Sequence, residues 1–144
     1  MTSRPSSLVF KILVIEDNPA DVELLRLALD TTDLPHELIA LHDGGEALAM
    51  FKQEAGFANR VAPDLVILDL NLPKYDGLEI LETIRSNPAF AKLPILVLSS
   101  SSSPREISRV QAFGLVQFVH KPADLDRYLG IGSIVKDFLT TKQE

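Results

Sequence analysis

Three short runs of aliphatic, largely β-branched residues, each stopping abruptly at a polar or acidic side chain, constrain this chain more than any other feature. They are Val9-Phe10-Lys11-Ile12-Leu13-Val14-Ile15 before Glu16-Asp17, Leu65-Val66-Ile67-Leu68 before Asp69, and Ile95-Leu96-Val97-Leu98 before Ser99. A strand that is apolar on both faces must be buried on both, which is the situation of a parallel sheet sandwiched between helices. Between these runs the apolar spacing turns helical. Asn18 can cap and Pro19 can open a helix carrying Val22, Leu25, Ala28 and Leu29 up to Thr31-Thr32, and Leu78, Ile80, Leu81 and Ile84 mark a second one after Asp69.

Weaker signals complete the pattern. Glu37 to Leu41 is a short strand candidate, followed by an Asp43/Glu46 capping box that opens a helix through Ala47, Leu48 and Phe51, and then by a loop from Glu54 to Ala62. The five serines Ser99 to Ser103 lead to Pro104 at a first helical position, and a Ser103/Glu106 capping box starts a helix through Ile107 and Val110. Val116 to His120 is a last strand before Lys121-Pro122. Asp124 begins a final helix with Leu125, Tyr128, Leu129, Val135 and Phe138, running to about Leu139. Ile131 and Ile134 beside that set put apolar residues on more than one face, which predicts a partner or symmetric dimer surface.

Five β-α units imply an α/β fold, a doubly wound parallel sheet with right-handed crossovers. The common order for five units is 2-1-3-4-5, which sets the carboxyl ends of the first and third strands side by side where such folds bind ligands. A length of 144 residues and 46% hydrophobic content fit one domain, read as a flexible tail over residues 1–7 and a single domain over 8–144 with no effector domain after it. A net charge of −6 without a basic stripe excludes nucleic acid as a partner. No apolar run reaches the roughly 18 residues needed to span a bilayer, and Met1 to Ser7 lack a signal-peptide core, so no membrane association and a cytoplasmic location are expected. Without cysteine there is neither a disulfide nor a thiolate metal site.

The strand ends carry the chemistry. Glu16 and Asp17 end the first, Asp69 the third, Ser99 the fourth and Lys121 the fifth, all at one rim. Three carboxylates at close range repel, so they call for protons or a cation, and all-oxygen ligation suits Mg²⁺. With a metal and Lys121 screening it, one carboxylate can attack phosphorus. Asp69 stands alone at the centre of the rim and is the candidate nucleophile, Glu16 and Asp17 are placed to hold the metal, and Ser99 offers a hydroxyl to a phosphoryl oxygen. Taken singly, Asp69 would be a helix cap, Lys121 an exposed lysine before a turn, Pro122 a loop proline and the serines a solvated linker. Four different strands ending in the required residue types outweigh these readings.

These residues resemble the receiver domains of two-component response regulators, from about Lys11 to Leu139, with Asp69-Leu70-Asn71-Leu72-Pro73 and Asp76-Gly77 also matching the family's pattern. The resemblance implies a flavodoxin-like receiver fold in which Asp69 is the phosphoacceptor and the Asn71 main-chain carbonyl joins Glu16, Asp17 and Asp69 around Mg²⁺. Ser99 and Lys121 would bind the phosphoryl group, Ser99 and Phe118 would form the switch, Gly77 would permit a tight loop, and the Lys121-Pro122 bond would be cis. It implies a histidine kinase or histidine phosphotransfer protein as donor, and a receiver that is not a turnover enzyme on a separate substrate. A homodimer through the fourth helix, fifth strand and fifth helix is a further expectation. Serine replaces the commoner threonine at 99, and Ser100 stands where alanine or glycine is usual. Glu16-Asp17-Asn18-Pro19-Ala20-Asp21, the serine loop and Lys121-Pro122-Ala123-Asp124-Leu125 are similar to single-domain regulators paired with bacterial phytochrome kinases. Two rival functions would need other residues. A phosphohydrolase of the aspartyl-phosphate type needs a second aspartate where Asn71 stands. A flavin module needs a Ser/Thr/Gly-rich phosphate loop where Glu16-Asp17 stand.

Overall fold

In the computed structural model, which describes residues 9–52, 62–101 and 103–143, the apolar runs pair into a single sheet. Its strands are β1 (Phe10–Ile15), β2 (His36–Leu41), β3 (Leu65–Asp69), β4 (Ile95–Ser99) and β5 (Val116–His120). All pairs are parallel and the order is β2-β1-β3-β4-β5, as the alternation of elements predicts. The expected tail Met1 to Ser7, and all of the Glu54 to Ala62 loop except Ala62, lie outside the described residues.

The period-two pleat divides the core into two layers. Leu13, Ile15, Val66, Leu68, Ile95 and Val97 face one side, where α2 (Gly44–Lys52), α3 (Gly77–Ser86) and α4 (Pro104–Gln111) bring Ala47, Phe51, Ile80, Ile84 and Val110 against them. Ile12, Val14, Leu65, Ile67, Leu96 and Leu98 face the other, covered by α1 (Pro19–Asp30), α5 (Leu125–Leu129) and α6 (Ile131–Gln143). Burying each such side chain stabilises by about 1.5–3 kcal/mol, which is why β3 and β4 carry no polar residue before their carboxyl ends and β1 carries only Lys11, near its start.

The caps behave largely as read. Asn18 Oδ1 accepts from Ala20 N–H at 2.9 Å, and Asp43 Oδ1 accepts from Glu46 N–H at 2.7 Å. The final helix does not run through. It breaks at Gly130, whose N–H closes α5 on the Asp126 and Arg127 carbonyls before α6 begins. Ile131, 1% exposed, and Ile134 join the layer under α1 instead of forming a second apolar face. Those two residues therefore give no support to a dimer surface. Gly132 explains the close approach: a methyl there would drive into the Ala28 carbonyl, 2.7 Å from its carbon.

Two features were not legible in the sequence. A 3₁₀ turn over Pro88–Phe90 follows α3, with Asn87 accepting from Ala89 N–H and Phe90 meeting Phe51 edge to face at 5.3 Å. Arg85 turns inward and donates to four backbone carbonyls, Phe113 at 2.7 Å, Leu93 at 2.7 Å, Phe90 at 3.0 Å and Leu115 at 3.0 Å. Burial lowers its pKa, and the carbonyl dipoles stand in for the lost water.

Candidate functional site

Register places the site. Ile15 pairs with Leu68, so Glu16 stands level with Asp69; Asp69 pairs with Leu98, one residue behind Ser99; and Ser99 pairs with His120, one behind Lys121. Each strand thus ends one step beyond its neighbour's last apolar residue, at the point where the order reverses about β1 and β3.

Glu16, Asp17 and Asp69 each bring a carboxylate oxygen within 4.8 Å of the others. Glu16 and Asp69 are buried while Asp17 is exposed, so the cluster opens to solvent on one side. Burial raises the Glu16 carboxyl to about 8, reinforced by its hydrogen bond to Asp69 and opposed by Lys121. A carboxyl pushed up first by burial and then by a neighbouring acid marks a site with more negative charge than its surroundings readily carry. The donors are hard carboxylate oxygens with an open approach, which fits a divalent cation such as Mg²⁺ and offers nothing to a soft metal.

Lys121 supplies the counter-charge inside the protein. Its Nζ donates to Glu16 Oε1 at 2.9 Å and to Asp69 Oδ2 at 3.2 Å, and pairs with Asp21 Oδ2 at 2.7 Å. Burial pulls its pKa down, but the bonds to Asp21 and Glu16 and the charge of Asp69 more than offset this and hold it above the ordinary lysine range. Its backbone N–H donates to Ser99 O at 2.7 Å, which locks the loop after β5 to β4. No described peptide bond is cis, so Lys121-Pro122 is trans, contrary to expectation. The trans form is the lower in energy by about 0.5–1 kcal/mol, and the ammonium reaches all three acids with it.

Ser99 is fully buried at the rim, but its hydroxyl donates to Glu106 Oε1 at 2.9 Å and lies 3.3 Å from Asn71 Oδ1. Glu106 therefore completes only half of the predicted capping box: Ser103 Oγ accepts from Glu106 N–H at 3.2 Å, while the carboxylate turns inward. Asn71 holds the loop after β3 at both ends. Its N–H donates to Asp69 Oδ1 at 2.9 Å, and its side-chain oxygen accepts from Ser100 N–H at 2.9 Å and Ser100 Oγ at 3.1 Å. Phe118 is half-buried against the α2–α4 layer. Gly77 opens α3 without a positive φ; a Cβ there would sit 2.5 Å from Leu70 Cδ1, and its absence lets α3 pack on the Asp69-Leu70 segment.

The parts that four side chains play at the site escaped the sequence reading. Asp21 lies four residues after Asp17, in the first turn of α1, which hints that it returns to the same rim. The Asn71 side chain, Glu106 and Tyr128 carried no such hint, since each looks like an ordinary loop, cap or core residue. The Tyr128 hydroxyl is buried without a partner, and burial, with the charge of Asp21, raises its pKa.

A family model described as the response regulator receiver domain matches residues 12–131. The response regulator Rcp1 of Synechocystis sp. is 42% identical over 96 residues, which make up 67% of this chain and 65% of that protein. Among solved structures, the phosphorylated cyanobacterial phytochrome response regulator RcpA superposes with a TM-score of 0.82 at 37% identity, covering 94% of this chain and 96% of that one. The Mn²⁺-bound form of Rcp1 gives 0.77 at 32% identity, covering 90% and 93%. No helix among the described residues is long and apolar enough to cross a membrane. With one family's pattern running from β1 to the start of α6 over this sheet and this cluster of acids, the chain belongs to the response regulator receiver domains.

Proposed function

We propose that this protein accepts a phosphoryl group on Asp69 from the phosphohistidine of a histidine kinase or phosphotransfer protein, and signals through the surface that answers to it. The observation that carries this is the meeting of Lys121 with Glu16 and Asp69, and of both acids with Asp17, at one strand-end rim. Glu16, Asp17, Asp69 and the Asn71 main-chain carbonyl would hold Mg²⁺, which when bound neutralises charge on the incoming phosphoryl oxygens.

The chain's own groups do the rest. An oxygen of Asp69 bonds to phosphorus as the phosphorus–nitrogen bond to the donor histidine breaks, and the leaving imidazole takes a proton. The Asn71 N–H on Oδ1 and the Lys121 ammonium on Oδ2 orient the carboxylate, leaving a lone pair for attack. In the product, Lys121 stays within reach of the phosphoryl oxygens, and the Ser99 hydroxyl turns toward them. Phe118, half-buried beside β4, follows into the space released. Acting in this way the protein turns over its own phosphoryl group and no separate substrate, as a cytoplasmic module. Asn71 cannot titrate, and its amide oxygen is already engaged by Ser100, which argues against a phosphohydrolase. The likeness to RcpA and Rcp1 supports a bacterial phytochrome as the cognate kinase.

Incubation with acetyl phosphate and Mg²⁺, followed by intact mass, tests the assignment. One added phosphoryl group is expected, absent from Asp69→Asn; a group that persists in that variant sinks the choice of Asp69.

A further inference from the structure

A serine hydroxyl has a single proton to give. Here Ser99 spends it on Glu106 at 2.9 Å, while Ser101 N–H donates to the Ser99 oxygen at 3.1 Å and fixes the orientation of its lone pair. The alternative acceptor, Asn71 Oδ1, is farther at 3.3 Å and is already saturated by the Ser100 N–H and hydroxyl. The charge-assisted bond to Glu106 therefore sets where the hydroxyl points. Glu106 lies in the first turn of α4, with its own N–H tied to the Ser103 cap. One hydrogen bond thus links the rim of the phosphoryl site to the start of a helix on the protein surface.

We propose that Glu106 is a positioning residue that holds Ser99 in its unmodified orientation, and that its carboxylate and a phosphoryl group on Asp69 compete for the same proton. This rests on Ser99 as a phosphoryl ligand. Phosphorylation then releases Glu106 and with it the first turn of α4. By reciprocity, loosening the Glu106 bond makes the site bind the phosphoryl group more tightly, because the cost of breaking that bond is removed in advance.

Beryllofluoride with Mg²⁺, a mimic of the bound phosphoryl group, provides the test. Its affinity is measured by calorimetry for wild type, Glu106→Gln, Glu106→Ala, Ser99→Ala and the Ser99→Ala/Glu106→Ala double variant, each first checked for a wild-type-like urea midpoint. Glu106→Ala is expected to bind at least about ten-fold more tightly, the difference a hydrogen bond to a charged group makes. Glu106→Gln should fall between, because a neutral acceptor makes a bond about half as strong. The gain should vanish when Ser99 is already alanine. Unchanged affinity in both Glu106 variants, or an equal gain without the serine, overturns the role of Glu106 while leaving Asp69 intact. Failure of wild type to bind overturns the phosphoryl site itself, and this proposal with it.

Discussion

Replacing Lys121 by methionine keeps most of the stem and removes the cation on which Glu16, Asp21 and Asp69 converge at 2.9, 2.7 and 3.2 Å. A hydrogen bond to a charged group contributes about 1.5–3 kcal/mol, so the three together amount to a gross about 4.5–9 kcal/mol. Against this stands the desolvation of the ammonium of a side chain left 16% exposed, a cost of several kcal/mol that methionine does not carry. The balance is a loss of about 3 kcal/mol in the metal-free protein, near the lower end for breaking a buried ion pair. The loss depends on pH. Burial and Asp69 hold Glu16 at about 8 even though Lys121 opposes them, so without the ammonium Glu16 keeps its proton to still higher pH. The variant therefore loses least near about pH 5, where Glu16 is protonated in both proteins, and most above about pH 8. Mg²⁺ among the same carboxylates replaces the missing charge and stabilises the variant more than wild type. Urea unfolding on both sides of this range, with and without Mg²⁺, reads all of these terms. A variant within about 0.5 kcal/mol of wild type at both pH values, or one with the same Mg²⁺ response, would refute the picture of Lys121 as the internal counter-ion.

In metal-free wild type, Glu16 titrates at about 8 folded against an ordinary 4.5, so its favourable contribution is complete below the ordinary value and is lost as pH rises through about 8. Glu16→Gln should flatten that decline in urea-derived stability, and an unchanged slope would show that another group causes it. Gly132→Ala forces α6 off the Ala28 carbonyl by about 1 Å and should cost about 2 kcal/mol, even after the roughly 1 kcal/mol that alanine gains in helix propensity. A denaturation midpoint equal to wild type would mean that the helices slide apart freely. Arg85→Met removes the guanidinium from four carbonyls, of which those of Phe90 and Leu115 keep a backbone N–H, and should destabilise by about 3 kcal/mol, with Arg85→Lys failing to restore it because an ammonium lacks the fork. Full rescue by lysine in the same assay would count against the fork.

Some of the site was written in the order of residues, and some was not. Glu16, Asp17, Asp69, Ser99 and Lys121 were legible because each follows an apolar strand, and parallel strands in a doubly wound sheet present their carboxyl ends at one edge. Asp21 and Glu106 were not, because a helix's first turn is where acids are commonest as caps, and only their inward rotation distinguishes them from that role.

Hydrophobic periodicity by itself determined five parallel strands, their helical cover and the rim where the charges meet, since an apolar run must be buried on both faces and a helical stripe on one. What only the tertiary structure decided was side-chain direction. Whether Ser99 looks at Asp69 or at Glu106, whether Ile134 faces solvent or α1, and whether Lys121-Pro122 is cis or trans each turn on energies of a few kcal/mol or less between local alternatives. Differences that small are settled by the neighbours that folding brings together, such as Asn71 beside Ser100 and Gly132 beside Ala28, which lie far apart in the chain.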